Sequence, residues 1–366
     1  MINTTKSQLS QLDLISKVQN KAIKAVSNHY EEKGLLEVPV PILVGITGAC
    51  ENVSTLFKLG DDSRIHLTQT GQLALEQALQ FAKGVYCITK SFRTDFISER
   101  HLNEFTLIEE EISCSHKSIG MNYNEYSEDE MFDHLLQNIS NSIKSMIASV
   151  LKYCKEDLIE RGVNISRLET AVDLPFHRIT YTDAIKLLNS SGNIGHVEWG
   201  EDLKSKHELL LIDLVANREN TIPLPTFVTH YPKEIKFFNM KEHEQNSEIV
   251  NSADLLLPGV GEAVGSAVRE HNYEKLIERL LNSVMFQHIQ EKGLATLEDF
   301  KPYLQVIEDK RTDPHAGYGI GLERVIQYIL GEKDIRKCSV SYQLNELMGF
   351  NKELQLAQTG SNAPGF

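Results

Sequence analysis

From Ser91 to Cys114 the chain reads SFRTDFISERHLNEFTLIEEEISC, and these residue types can do chemistry together. Arg93 stands two residues before Asp95, and after a short polar loop come Arg100, His101 and Phe105. Beyond them apolar and acidic residues mix through Glu109, Glu111 and Ile112. Guanidinium groups grip phosphate or carboxylate through several donors at once, and carboxylates accept from ammonium or amide. Two strands joined by a loop fit the alternation, which puts one set of side chains on each sheet face. Such a face suits a nucleoside triphosphate beside a zwitterionic substrate. A plain hairpin with a salt-bridged solvent face would show the same alternation.

Further stretches carry related chemistry. Residues 317–331 read GYGIGLERVIQYILG, a glycine-rich strand running into a helix with Arg324 in its first turn. Glycine allows close approach of a ligand to the backbone, and a helix start favours anions. Asp254 and Glu262 bracket LLLPGVG, read as strand–turn–strand, so both carboxylates can face one cavity. Gln72 opens a helix after Thr70-Gly71 and offers both a donor and an acceptor.

The elements that must hold these residues follow from periodicity. Leu12, Ile15, Val18, Ala22, Ile23 and Val26 recur at helical spacing, and Gly34 stops that helix. A strand from Leu35 to Val40, closed by Pro41, comes next. Glycine-rich 45–51 reads as a loop, and about 127–161 as a long helix with the core stripe Met131, Leu135, Ile139, Ile143, Met146 and Val150. Residues 192–200 form a loop with the only tryptophan, Trp199; Thr226–His230 is a strand, and 241–248 a hairpin tip or solvated loop.

FRxD…RHxxEF followed far downstream by GxGxER resembles motifs 2 and 3 of the class II aminoacyl-tRNA synthetases. LTQTGQLALEQA, THYPKEIKFFNM, ADLLLPGVGEAVGSAVRE and DPHAGYGIGLER resemble, in order, segments of the asparaginyl subgroup, over roughly Gly34 to Lys337. The resemblance implies an α/β (α+β) fold with a mixed, mainly antiparallel sheet flanked by helices. It implies a catalytic domain over 1–340 and a tail over 341–366, without the anticodon-binding barrel. It also implies an ATP-dependent ligase that uses Mg²⁺ and forms an aminoacyl-adenylate.

Site roles come from the same resemblance. Arg93 would grip the α-phosphate and the substrate carboxylate, with Arg324 and His101 on the outer phosphates. Phe105 would stack on adenine, Arg100 assist, and Asp95 stand where the family has glutamate, a methylene too short for its usual adenine contact. Glu51 and Gln72 would hold the amino-acid backbone, Arg269 and Glu109 its side chain, and Asp254 and Glu262 the magnesium. Leu75 and Glu109 follow the asparaginyl rather than the aspartyl pattern. Asparagine is therefore expected over aspartate, although stand-alone relatives make asparagine from aspartate on this core. The first helix and strand match motif 1, which implies a homodimer.

The formal net charge is −14, from 37 Lys and Arg against 51 Asp and Glu. A nucleic-acid surface needs clustered cations, and the family's aromatic–Pro–Arg sequence after motif 3 is replaced by CSVSYQLNELMGF. An acceptor other than tRNA, such as ammonia or an amine, is the expectation. A truncated tRNA ligase and a non-catalytic regulatory paralog remain as alternatives. The five cysteines are widely spaced without CxxC and read as reduced thiols. MINTTKSQLSQLDL has no apolar signal core, and no 18-residue apolar run occurs, so the cytoplasm is the expected compartment.

Overall fold

The structure is a computed structural model that describes residues 6–46, 53–60 and 64–351. The first helix, α1 (Lys6–Lys33), buries Ile15, Val18, Ala22, Val26 and Tyr30 along one face. It stops at Gly34, whose φ of +86° suits only glycine without strain. The long helix α3 (Glu128–Glu160) starts on Ser127, whose hydroxyl accepts from the Glu130 N–H. Glu128, Asp129 and Glu130 in its first turn complement the helix dipole. All six residues of its expected stripe are buried. Each such side chain contributes roughly 1.5–3 kcal/mol by burial; Ile143→Ala, leaving a cavity, would cost about 2–5 kcal/mol.

The central sheet has eight strands: β1 (Leu36–Glu37), β2 (Gly84–Phe92), β3 (Glu104–Ser113), β4 (His177–Thr180), β5 (Thr226–Thr229), β6 (Ser252–Leu257), β7 (Gly261–Val268) and β8 (His315–Gly321). Their order is β1-β2-β3-β8-β7-β6-β5-β4. The β1–β2 and β4–β5 pairs are parallel and the other pairs antiparallel. This is the mixed, mainly antiparallel sheet expected from the sequence. The first strand is shorter than expected: Leu35–Val40 contributes only Leu36 and Glu37 to the ladder. Pro39 has no N–H to continue it.

α1 and α3 pack against each other and cover the back of the sheet, where α10 (Leu322–Leu330) joins the same core. α2 (Gln72–Ala78) packs on β2 and β3, and α4 (Ile165–Asp173) extends the α3 core. α5 (Tyr181–Ser191) and α6 (Ser205–Arg218) form a second core against β4 to β6. α7 (Tyr273–Asn282), α8 (Val284–Glu291) and α9 (Leu297–Glu308) build a third with Val53, Leu56 and Phe238. Residues 241–248 do form a hairpin tip, with Glu242–His243 paired to Asn246–Val250. The beginning of the expected 341–366 tail is helical: α11 (Val340–Met348) is capped by the Ser339 hydroxyl and ends on Gly349 at φ +84°. Cys87, Cys114, Cys154 and Cys338 are buried free thiols, and Cys50 lies outside the described residues. Among the described residues no helix is long and apolar enough to cross a membrane.

Candidate active site

Strand register lays out the floor of the site. Glu109 on β3, Gly319 on β8, Gly265 on β7 and Asp254 on β6 are consecutive cross-strand partners and share one sheet face. The two glycines open a trough between the two acids. Glu111, two residues from Glu109 on the same face, is partnered by Gly317. Above this floor lies a cavity of about 400 Å³. Arg93, Asp95, Arg100, His101, Phe105, Arg324, Gln72, Glu109, Arg269, Asp254 and Glu262 all line it. Eleven expected residues thus meet in one place; Glu51 lies outside the described residues.

One end of the cavity is acidic and closely hydrogen-bonded. The Glu109 carboxylate accepts from the Thr70 hydroxyl and from the Gly71 N–H at 2.6 Å. Burial raises its pKa, partly offset by those two bonds. Arg269, 3% exposed, forks onto Glu111 through Nη2 at 2.5 Å and Nε at 3.1 Å. Glu76 stands 4.0 Å from the same guanidinium and accepts from Gln72 (2.8 Å), Asn239 (3.0 Å) and Tyr303 (2.8 Å). His315 lies 3.4 Å away. Burial alone would raise Glu76, but His315 and Arg269 outweigh it and hold its pKa at about 2. Burial lowers the pKa of His315, and Glu76 more than reverses that. Arg269 and Glu109, expected to hold the substrate's side chain, both line the cavity; Arg269 also pairs with Glu111, and Glu109 also accepts from Thr70 and Gly71.

The other end is cationic. The Arg93 guanidinium lies over the Phe105 ring, 5.4 Å from its centroid. The Nε groups of Arg93 and Arg100 are buried donors without a partner, as suits a phosphate-binding wall. Arg100 also donates to the Val260 carbonyl at 3.0 Å, and Arg324 to the Glu262 carbonyl at 2.6 Å. His101 bonds Ser98 through Nδ1 at 3.1 Å, and burial, then the Arg324 charge, lowers its pKa. Asn103 pins the loop by donating to the carbonyls of Arg93 (2.8 Å) and Asp95 (2.7 Å). Glu323 ties α10 to β3 by accepting from the Thr106 N–H and hydroxyl.

Between the two ends stand Asp254 and Glu262. A Cβ at Gly265 would lie 3.9 Å from Asp254 Oδ1 and 3.6 Å from Glu262 Oε1, so both carboxyls hang over the same spot. Crowding into the cavity, then the Asp254 charge, raises the pKa of Glu262, although its side chain keeps an exposed surface. Two crowded carboxyls of this kind fit a hard divalent cation that takes its remaining ligands from phosphate and water. Among the described residues no three His, Cys, Asp or Glu side chains form a metal cage. Lys236 already holds Asp254, with Nζ 2.6 and 2.9 Å from its two oxygens.

The sequence reading assigned no role to Lys236, Glu111, His315, Thr70, Asn103 or Glu323. Glu111 was signalled by its i, i+2 relation to Glu109 in a strand. The others carry no periodic signal.

Comparison with known proteins agrees with this geometry. Residues 5–341 match the family described as tRNA synthetases class II (D, K and N). The chain belongs to the class II tRNA synthetases. It is 32% identical over 353 residues to the asparagine–tRNA ligase of Desulfotalea psychrophila, covering 92% of this chain and 71% of that one. It is 35% identical over 325 residues to that of Thermococcus gammatolerans, covering 88% and 67%. The asparaginyl-tRNA synthetase of Pyrococcus horikoshii complexed with asparaginyl-adenylate superimposes with a TM-score of 0.74 at 31% identity, over 90% of this chain and 68% of that one. The Entamoeba histolytica enzyme, also with asparaginyl-adenylate, gives 0.71 at 26%, over 93% and 71%. This class II synthetase therefore carries the catalytic core of its relatives over most of its length. The expectation that tRNA is not its acceptor gains nothing here, because these relatives are named as tRNA ligases.

Proposed function

We propose that the chain activates asparagine with ATP, forming asparaginyl-adenylate and pyrophosphate. The observation that carries this reading is the single cavity with a cationic end and a carboxylate-rich end, joined by the Asp254–Glu262 pair. The substrate's α-carboxylate attacks the α-phosphorus, and pyrophosphate leaves. Two anions must meet, so catalysis rests on positioning and on cations aimed at the developing charge. Arg93, with its unpartnered Nε, would hold both anions, and Arg324, Arg100 and His101 the departing phosphates. Mg²⁺ held by Asp254 and Glu262 would supply further charge neutralisation on the phosphates.

Substrate choice follows from the acidic end. Arg269 arrives already paired with Glu111, so aspartate would bring a second carboxylate to a neutralised guanidinium and to Glu109. Asparagine brings a neutral amide whose N–H groups Glu109 can accept.

For the acceptor, the relatives' printed activity favours tRNA. The net charge of −14 and the departure after motif 3 favour ammonia or a small amine. ATP–pyrophosphate exchange across the amino acids tests activation; asparagine-dependent exchange is expected, and exchange with no amino acid would overturn it. Product analysis with tRNA, ammonia and amines then separates the acceptors.

A further inference from the structure

Lys236 stands where the cation site needs a carboxylate to be open. It follows the 3-10 turn Lys233–Ile235, on the loop between β5 and β6. Its ammonium takes both Asp254 oxygens, lies 3.9 Å from the centroid of the Tyr231 ring, and is 12% exposed at the side chain. Arg279 on α7 fixes the backbone of this loop by donating to the carbonyls of Phe237 (2.9 Å) and Met240. The loop backbone is clamped, so release of Asp254 must come from a turn of the four-carbon lysine side chain.

We propose that Lys236 is the resident counter-ion of the Asp254–Glu262 pair, and that a divalent cation enters only as the lysine yields Asp254. Asp254 is buried while Glu262 beside it is exposed; the buried carboxylate needs a compensating positive charge in the nucleotide-free protein, and Lys236 supplies it. A metal ion arriving alone must displace an ammonium bound at two points and leave it unpaired in a buried setting. A metal ion arriving with ATP brings phosphate oxygens that give the displaced ammonium a new anionic partner in the same cavity. The lysine thereby couples cation binding to nucleotide binding. This rests on the proposed adenylation reading only in naming the nucleotide; the competition between Lys236 and a cation stands on the geometry of the pair.

The test uses Mn²⁺ as the probe, titrated into the full nucleotide-free chain and followed by the electron paramagnetic resonance of free Mn²⁺. Lys236→Met is expected to bind Mn²⁺ at least about tenfold tighter than wild type, roughly 1.4 kcal/mol, and Asp254→Asn in that background should remove the gain. Equal Mn²⁺ affinity of wild type and Lys236→Met overturns the proposal, as does a gain that survives Asp254→Asn. Should Lys236→Met fold poorly, Lys236→Gln and the wild type decide: Mn²⁺ binding to nucleotide-free wild type as tight as to Lys236→Gln refutes the coupling. Calorimetry with a non-hydrolysable ATP analogue runs alongside. Failure to bind the analogue counts against the adenylation reading, while the nucleotide-free comparison still judges Lys236.

Discussion

Gly317 faces Glu111 across the β3–β8 ladder, and a Cβ at Gly317 would fall 2.1 Å from the Glu111 carboxyl carbon. No side chain fits there without moving Glu111 off Arg269. Gly317→Ala should therefore cost about 1–3 kcal/mol of stability through overpacking. It should lower asparagine-dependent pyrophosphate exchange at least tenfold, on the order of 1.4 kcal/mol, with ATP binding retained because the cationic end is untouched. Exchange at the wild-type rate would show that the Glu111–Arg269 pair does not shape the substrate site.

Arg93→Ala and Arg324→Ala should each abolish exchange while leaving the circular dichroism spectrum unchanged. A single contact to transition-state charge can be worth roughly 3 kcal/mol, a loss of more than about a hundredfold. Rates within threefold of wild type would discard the phosphate-binding roles.

Asparagine should support exchange at least about tenfold better than aspartate, a gap of roughly 1.4 kcal/mol. Glu109→Gln should narrow that gap, since the like charge facing aspartate is gone. If aspartate equals or exceeds asparagine in the wild type, the selection assigned to Glu109 and the paired Arg269 is wrong, and ammonia becomes the first acceptor to try.

Acid should weaken the fold between pH 6.5 and 4. Burial, reinforced by nearby cations, lowers His29, His230 and His271 from 6.5 to about 4. Their folded pKa values lie below the unfolded ones, so their stabilisation is complete above 6.5 and is lost as pH falls. Glu111 runs the other way, since burial raises it from 4.5 to about 7 and its stabilisation is lost as pH rises through that range. His29→Leu isolates one histidine. Its urea midpoint should drop less than that of wild type between pH 7 and pH 5, and an identical drop would contradict the assignment.

Light scattering at micromolar concentration should give twice the 41.4 kDa chain mass. Leu36 on the sheet edge and Ile42, Leu43 and Phe81 are large exposed apolar residues, as a face covered by a second copy would require. A monomer mass would remove the homodimer.

Much of the site was legible because its signals are local. Arg93, His101 and Arg324 stand in short motifs, and the α3 stripe follows a 3.6-residue period through to Val150. Contacts between distant segments were not legible. The Glu111–Arg269 pair joins residues 158 positions apart and needs the register of three strands. Lys236 sits in a loop where no periodicity marks a buried charge. The shortened first strand was legible in principle, since Pro39 stands within the expected run, but the closing Pro41 drew the boundary instead.

The hydrogen bond from the Tyr318 hydroxyl to Glu110 joins positions 208 residues apart, on the β3–β8 pair inside the sheet. The β2–β3 and β6–β7 hairpins are local and can form early, but β8 must insert between them, and distant pairing of this kind is slow. During synthesis both hairpins therefore wait with open inner edges until the chain has passed Gly321, a stage at which chaperones have most to protect. A chain cut short before His315 would still carry Arg93, Arg100 and His101 on one ribbon and Asp254 and Glu262 on the other, with no floor between them.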